Sequence, residues 1–238
     1  MEERNKARRD TDLERLGRID ALSWLSLPEL TRLIEQLALA NFKRHEVIVG
    51  QDALASEAHI LLAGVANITC LNARSERVTV ALVAPGPIPE FPILPISRWS
   101  FQCEAYTDCR VGSLGWERFG IISFDSAQLA FRKFHQTNLR QWYRLLLRGS
   151  SFLSLDLHER IALTLLELCS DFGVEESRGT LLKIVLSHRQ LANLVGASRP
   201  RVTEHLARLE GEGLVVRQGR QLVVRADRLG DQMSRLVA

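Results

Sequence analysis

The chain lacks most of the features that mark an enzyme, a secreted scaffold or a membrane protein. Its four cysteines, Cys70, Cys103, Cys109 and Cys169, include no CxxC pair. Such scattered thiols give no disulfide framework and are expected to stay free in a reducing compartment. No apolar run approaches the roughly 20 residues needed to span a bilayer, and no charged-then-apolar leader opens the sequence. A cytoplasmic location and no membrane partner are therefore expected. No Ser/His/Asp or metal-ligand constellation stands at a telling spacing, so no catalytic residue and no metal site are assigned, and the protein is not expected to be an enzyme. Net charge is also scarce, at +3 over 238 residues. A balance this mild permits a nucleic-acid partner without requiring one.

What basic charge there is gathers in one stretch. Ser187 to Arg225 holds seven arginines against three glutamates, a local +4. Ser187 followed three residues later by Gln190 forms a capping-box pattern, and Leu191, Leu194 and Val195 continue at helical spacing. Gly196 stands where a helix ends in a left-handed residue. Ser198 then offers a second cap, with Pro200 in the first turn, where its missing N–H breaks no internal bond. Val202, Leu206 and Leu209 fall on one face of this second helix and leave Arg199, Arg201, Thr203, Glu204, His205 and Arg208 on the others. Two β-rich runs, Leu214–Val216 and Leu222–Val224, flank the Gln218-Gly219-Arg220 turn and read as a wing. A helix, a tight turn, a basic helix and a wing predict a winged helix-turn-helix that enters the DNA major groove.

Upstream the period changes. Met1 to Asp12 is densely charged and reads as a frayed tail whose Arg4, Lys6, Arg8 and Arg9 are solvated. Leu13 to Ala40 has the spacing of two or three short helices, one starting at Ser26-Leu27-Pro28-Glu29. From Phe42 to Leu114, short β-type runs at 47–49, 60–62, 65–68, 78–82 and 109–114 predict an antiparallel barrel or roll. Phe124 to Gly149 reads as one long helix, on which Phe131, Phe134, Asn138, Trp142, Leu145 and Gly149 follow the steps of a two-helix seam. The helix could instead lie on the chain's own roll, and both can hold of opposite faces, with Leu139 and Leu146 supplying the second. Residues 150–154 read as a hinge, Leu155 to Phe172 as a helix, and Asp171 to Gly179 as a surface loop.

Leu186 to Leu209, with the turn Gly196-Ala197-Ser198-Arg199, resembles the helix-turn-helix of the Crp/Fnr transcription regulators. Asp156 to Ala162 with Leu165-Leu166, and Phe42 to Gly86, resemble that family's segment after the hinge and its cyclic-nucleotide-binding β-roll. The resemblance implies an α+β fold with a sensor-like β-roll over 1–123, a dimerisation helix and hinge over 124–153 and a winged helix-turn-helix over 154–238. It implies a sequence-specific, homodimeric transcription regulator on palindromic double-stranded DNA, with RNA polymerase as a further partner through the 171–179 loop. The alternative reading is a nucleotide-sensing signalling module that regulates a protein partner.

The family's ligand cassette falls on Pro85 to Pro95, which holds five of the chain's seven prolines, and is completed further on. Its glutamate and serine are matched by Glu90 and Ser100. The glycine is Pro89 and the phosphate-binding arginine is Trp99, with Arg98 one residue out of place. Proline removes a phosphate donor, and a one-residue slip in a strand turns a side chain to the other face. Ordinary cyclic-AMP binding is therefore not expected, although Glu90, Arg98, Trp99 and Ser100 remain candidates for an effector pocket. Phe91, Ile93, Phe101 and Trp99 either line such a pocket or fill the roll's core. No cofactor is assigned. Haem, for which His45, His59 and Cys70 would be the candidate ligands, is not the expected occupant, and no cysteine precedes Cys70 to hold an N-terminal iron–sulfur cluster. On the DNA side the base-reading candidates are Arg199, Pro200, Thr203 and Glu204. Glu204 is equally able to pair with Arg201 or Arg208 within the helix. Ser187, Arg189, Ser198, Arg201, Arg208 and Arg220 are placed for phosphates.

Overall fold

The computed structural model describes residues 2–23, 25–71, 75–89, 98–99, 101–121 and 127–237, with side chains left out at 2–8, 119–121, 127–135, 151 and 235–237. The chain divides into two compact units, Met1–Leu145 and Leu146–Ala238.

The first unit opens with α1 (Glu2–Gly17) and α2 (Leu27–Gln36). The charged start is therefore helical rather than frayed. Its anchor is Asp12, which is 1% exposed and accepts from Arg110 Nε (3.0 Å) and Nη2 (2.7 Å), with Arg15 Nη1 at 3.1 Å. A buried carboxylate held by a guanidinium fork satisfies both charges at once. Leu16, one turn further on, is fully buried. At α2, Ser26 N donates to Glu29 Oε2 (2.8 Å), so the expected helix start is in place.

Among the described residues eight strands follow: β1 (Ala38–Phe42), β2 (Val47–Val49), β3 (Glu57–Ala63), β4 (Ala66–Leu71), β5 (Arg77–Val83), β6 (Gly86–Pro87), β7 (Gln102–Ala105) and β8 (Cys109–Gly115). They form two antiparallel sheets, β1-β8-β3-β6 and β2-β7-β4-β5. Residues 38–40 are thus strand, not the end of a helix, because Ala38 to Phe42 pairs with Cys109 to Ser113. The continuous apolar run in β3 has a simple cause. Ile60 and Leu62 pack under α1 and α2 with Leu16, Leu33 and Ile34, whereas Leu61 faces the roll interior with Ile68, Val83, Ile88, Trp99 and Cys103. A strand buried on both faces has no polar alternation.

After α3 (Trp116–Ile121), the long helix α4 runs Ala127–Ser154. It continues through 150–154, the expected hinge, and only Leu155 and Asp156 are non-helical before α5 (Leu157–Phe172). Asp156 caps α5 by accepting from Glu159 N (2.9 Å).

The second unit adds β9 (Gly173–Glu176), β10 (Gly179–Leu182), α6 (His188–Val195), α7 (Arg199–Gly211), β11 (Val215–Gln218), β12 (Gln221–Val224) and α8 (Ala226–Val237). Residues 173–182 are a hairpin instead of a loop, since β10 also pairs with β12 in the sheet β11-β12-β10-β9. The helix α8, which the sequence reading did not single out, packs on α5 and buries Leu229 completely.

Candidate nucleic-acid interface

The helix-turn-helix is built locally. Ser187 N donates to Gln190 Oε1 (2.9 Å) and Gln190 N to Ser187 Oγ (3.2 Å), which occupies free amides at the start of α6. Leu191, Ala192, Leu194 and Val195 are buried, and Gly196 ends the helix at φ 64, ψ 44, a left-handed backbone that suits glycine. Ser198 precedes α7 in an extended conformation but makes no side-chain cap bond. Val202, Leu206 and Leu209 bury one face of α7. Arg199, Pro200, Arg201, Thr203, Glu204 and Arg208 are exposed on the rest.

The exposed charges are not equally free. Arg208 Nε donates to Glu212 Oε1 (2.9 Å), at the C-cap of α7, and not to Glu204. Glu204, Arg189, Arg201 and Arg220 are exposed and enter no ion pair among the described residues. Arg199 stands at the N-terminal end of α7, the end that reaches base edges in this motif.

Thr203 is held differently. Its hydroxyl donates to the Arg199 carbonyl (3.0 Å) and lies 2.7 Å from His188 Nδ1. His188 Nε2 in turn lies 2.9 Å from Arg217 Nη2, and Arg217 Nε donates to Glu210 Oε1 (2.6 Å). The network thus joins α6, α7 and the wing strand β11. Burial and the Arg217 and Arg199 guanidinium groups lower the His188 pKa, with Glu210 opposing. The sequence reading did not select His188, Arg217 or Glu210, which look like ordinary surface polar residues.

Two further arrangements brace this unit. Arg148 Nη2 donates to the Leu194 carbonyl (2.8 Å) and Arg160 Nη1 to that of Val195 (3.2 Å). Both guanidiniums stack on Phe152, at 5.2 and 5.7 Å from its centroid. Cations at the C-terminal carbonyls of a helix complement its dipole. Between α5 and α7, the His158 and His205 rings lie 5.7 Å apart. Burial, then Arg208 and His205, depress the His158 pKa, with Glu212 and Asp156 opposing.

In the first unit, Glu90 and Ser100 of the expected effector site, with Phe91 and Ile93, lie outside the described residues. Pro89 is buried. Arg98 is exposed and its Nη1 donates to the Asp52 carbonyl (2.7 Å), whereas Trp99 is buried in the roll interior. Backbone bonds from Trp99 N to Ala53 O (2.9 Å) and from Asp52 N to Trp99 O (2.8 Å) fix that register. The Trp99 ring meets His59 edge-on at 5.9 Å. On α4 the side chains of Phe131 and Phe134 lie outside the description. Asn138 is buried at 3% exposure and Trp142 packs on Phe101 with ring centroids 5.1 Å apart. Asn138 and Trp142 of the expected dimer seam therefore pack within the chain, with Trp142 and Leu145 half-buried. Uncovered apolar side chains are Leu139, Tyr143, Leu146, Leu147 and Leu153, exposed by 61, 61, 69, 47 and 91%.

Residues 159–231 match the family model of the Crp-like helix-turn-helix domain. The second unit thus carries a Crp-like helix-turn-helix domain. The chain is similar to the Global nitrogen regulator of Synechococcus elongatus, 23% identical over 197 residues that cover 79% of this chain and 86% of that protein. Its fold is that of FixK2 from Bradyrhizobium japonicum, at a TM-score of 0.66 and 21% identity over 82% of this chain and 96% of the other. The c-di-GMP responsive global regulator CLP of Xanthomonas campestris also shares it, at a TM-score of 0.66 and 18% identity over 84% and 99%. The β-roll, long helix and winged helix-turn-helix follow one another in the expected order. No helix among the described residues is long and apolar enough to cross a membrane.

Proposed function

We propose that this regulator acts as a homodimer on a palindromic operator and answers to an effector other than cyclic AMP. The observation that carries the DNA reading is the exposed set Arg189, Arg201 and Glu204, in no ion pair among the described residues, around Arg199 on a helix-turn-helix whose first helix is capped by Ser187 and Gln190. Arg199 suits guanine O6 and N7, Glu204 suits cytosine N4, and Pro200 has no side-chain donor or acceptor. Arg189, Ser187, Arg201 and Arg220 are assigned to phosphates, which position the protein without specifying sequence. Pairing of two such motifs is favoured by α4, where Leu139, Tyr143, Leu146 and Leu153 recur in steps of 4, 3 and 7, the spacing of a self-complementary seam.

Arg98 points its charge at a backbone carbonyl outside the roll, and Trp99 fills the place of the phosphate counter-charge. A buried phosphate without donors or counter-charge is strongly disfavoured. The buried Trp99 Nε1, both polar atoms of Asn138 and Gln141 Oε1 have no hydrogen-bond partner among the described residues. The β9–β10 hairpin, which exposes Val174, Glu175 and Glu176, is the surface assigned to RNA polymerase.

The test is selection of duplexes from a random pool by the full chain at fixed salt, repeated with cyclic AMP and with cell extract. A palindromic motif that cyclic AMP leaves unchanged and extract alters is expected. A motif obtained only with cyclic AMP refutes the effector reading, and no motif under any condition refutes the regulator reading and revives the protein-partner alternative.

A further inference from the structure

The bonds around His188 fix its tautomer. A guanidinium has no acceptor, so Arg217 Nη2 donates and His188 Nε2 must accept. In the neutral ring the proton then sits on Nδ1 and is donated to Thr203 Oγ1, whose own proton goes to the Arg199 carbonyl. Every member of the chain is satisfied in one arrangement only. Because the Thr203 hydroxyl has already given its proton to the Arg199 carbonyl and a lone pair to His188, it has no donor left for a base, and its methyl group is the part placed to touch one.

We propose that neutral His188 is a positioning residue that ties the wing to the recognition helix and makes Thr203 a reader of the thymine methyl group rather than a hydrogen-bonding reader. This rests on the DNA-binding function proposed above. Methyl contacts to thymine C5 are a direct readout available to such a side chain. Protonation of His188 would place an N–H against Arg217 Nη2, which has no acceptor to offer. The charges facing the ring are Arg217 from β11 and Arg199 and Glu210 from α7, two cations against one anion. All three hold the ring in its environment, and the balance favours the neutral form, in line with its lowered pKa. The native network is complete at the ordinary histidine pKa of about 6.5 and above, and is lost as pH falls through the lowered pKa of the folded state.

Two measurements test this on the full chain. In long-range proton–nitrogen spectra of the DNA-free protein, His188 should show the Nδ1–H tautomer near neutral pH, and Thr203→Val should shift that nitrogen. An Nε2–H tautomer overturns the proposal whatever the DNA result. On the selected operator, thymines are replaced one at a time by uracil, which lacks the methyl group. Wild type should lose roughly fourfold in affinity at one half-site position, the value of one buried methyl. Thr203→Ser should be insensitive there, whereas Thr203→Val should keep the preference.

The ratio of operator to random-duplex affinity should fall severalfold from pH 7.5 to 5.5, and His188→Gln, which can accept from Arg217 and donate to Thr203 at any pH, should flatten that fall. Equal pH profiles for wild type and His188→Gln, a ratio that rises on acidification, or no uracil-sensitive position each overturn the proposal while leaving DNA binding itself standing. No operator binding at pH 7.5 refutes the regulator reading and the inference with it.

Discussion

Replacement of Leu146 by alanine should weaken self-association without unfolding either unit. Leu146 is 69% exposed in the single chain, and full burial of a leucine is worth about 1.5–3 kcal/mol, so sealing it in a dimer is worth about 1–2 kcal/mol. Two-fold symmetry presents the residue twice, which doubles this to about 2–4 kcal/mol and corresponds to a loss of roughly 30- to 1,000-fold in the dimer dissociation constant. Sedimentation equilibrium over a concentration series reads this directly, with far-ultraviolet dichroism to show that the helices persist. Leu139→Ala, on the same face at 61% exposure, should behave alike. Trp142→Ala should instead lower the melting temperature of the first unit, because its ring packs on Phe101 within the same chain. If Leu146→Ala leaves association unchanged while Trp142→Ala abolishes it with the fold intact, the covered and uncovered faces of α4 have been assigned the wrong way round.

On DNA, Arg199→Ala should cost about 1–3 kcal/mol on the operator and relax its sequence, whereas Arg189→Ala should weaken all duplexes alike and reduce the salt slope by about 1. Equal losses on operator and random DNA for both variants would contradict that division. Asp12→Ala leaves Arg110 without its buried counter-charge and should destabilise the first unit by about 3 kcal/mol in urea, and a change under 1 kcal/mol would show that the pair is not what holds α1. His158 has a lowered native pKa, so its contribution to stability is complete above the ordinary value of about 6.5 and declines as pH falls through it. The melting temperature should therefore drop between pH 7.5 and 5.5, and His158→Phe should reduce that drop. An unaltered pH dependence in the variant would place the titrating group elsewhere.

The parts legible in the sequence are those whose cause is local. Ser187 and Gln190 cap a helix from three residues apart, and Gly196 supplies a left-handed backbone at its own position. Distant partners leave no such signature. Asp12 reads as one more charge in a polar start because Arg110 lies 98 positions away. On α4, both 138/142 and 139/146 satisfy helical spacing, and periodicity has no means of saying which face its own roll covers. That choice is made by Phe101, from a different part of the chain. Gly173 to Leu182 holds short, charged strands whose pairing is completed by β12, more than forty residues later. In the site, the exposed basic residues of α7 announce themselves by composition. His188 does not, since its role comes from Arg217 and Thr203 on two other elements.

The guanidiniums of Arg148 and Arg160, stacked on Phe152, also decide where the DNA-reading body may be cut free. A fragment begun at residue 155 would look complete by its helices, yet it would lack Arg148 and Phe152 and leave the Leu194 carbonyl without its cation. One begun at residue 146 carries two extra helical turns that serve as its own brace. The last stretch of α4 is in that sense the first element of the second unit, and transplanting the helix-turn-helix onto another protein requires taking it along.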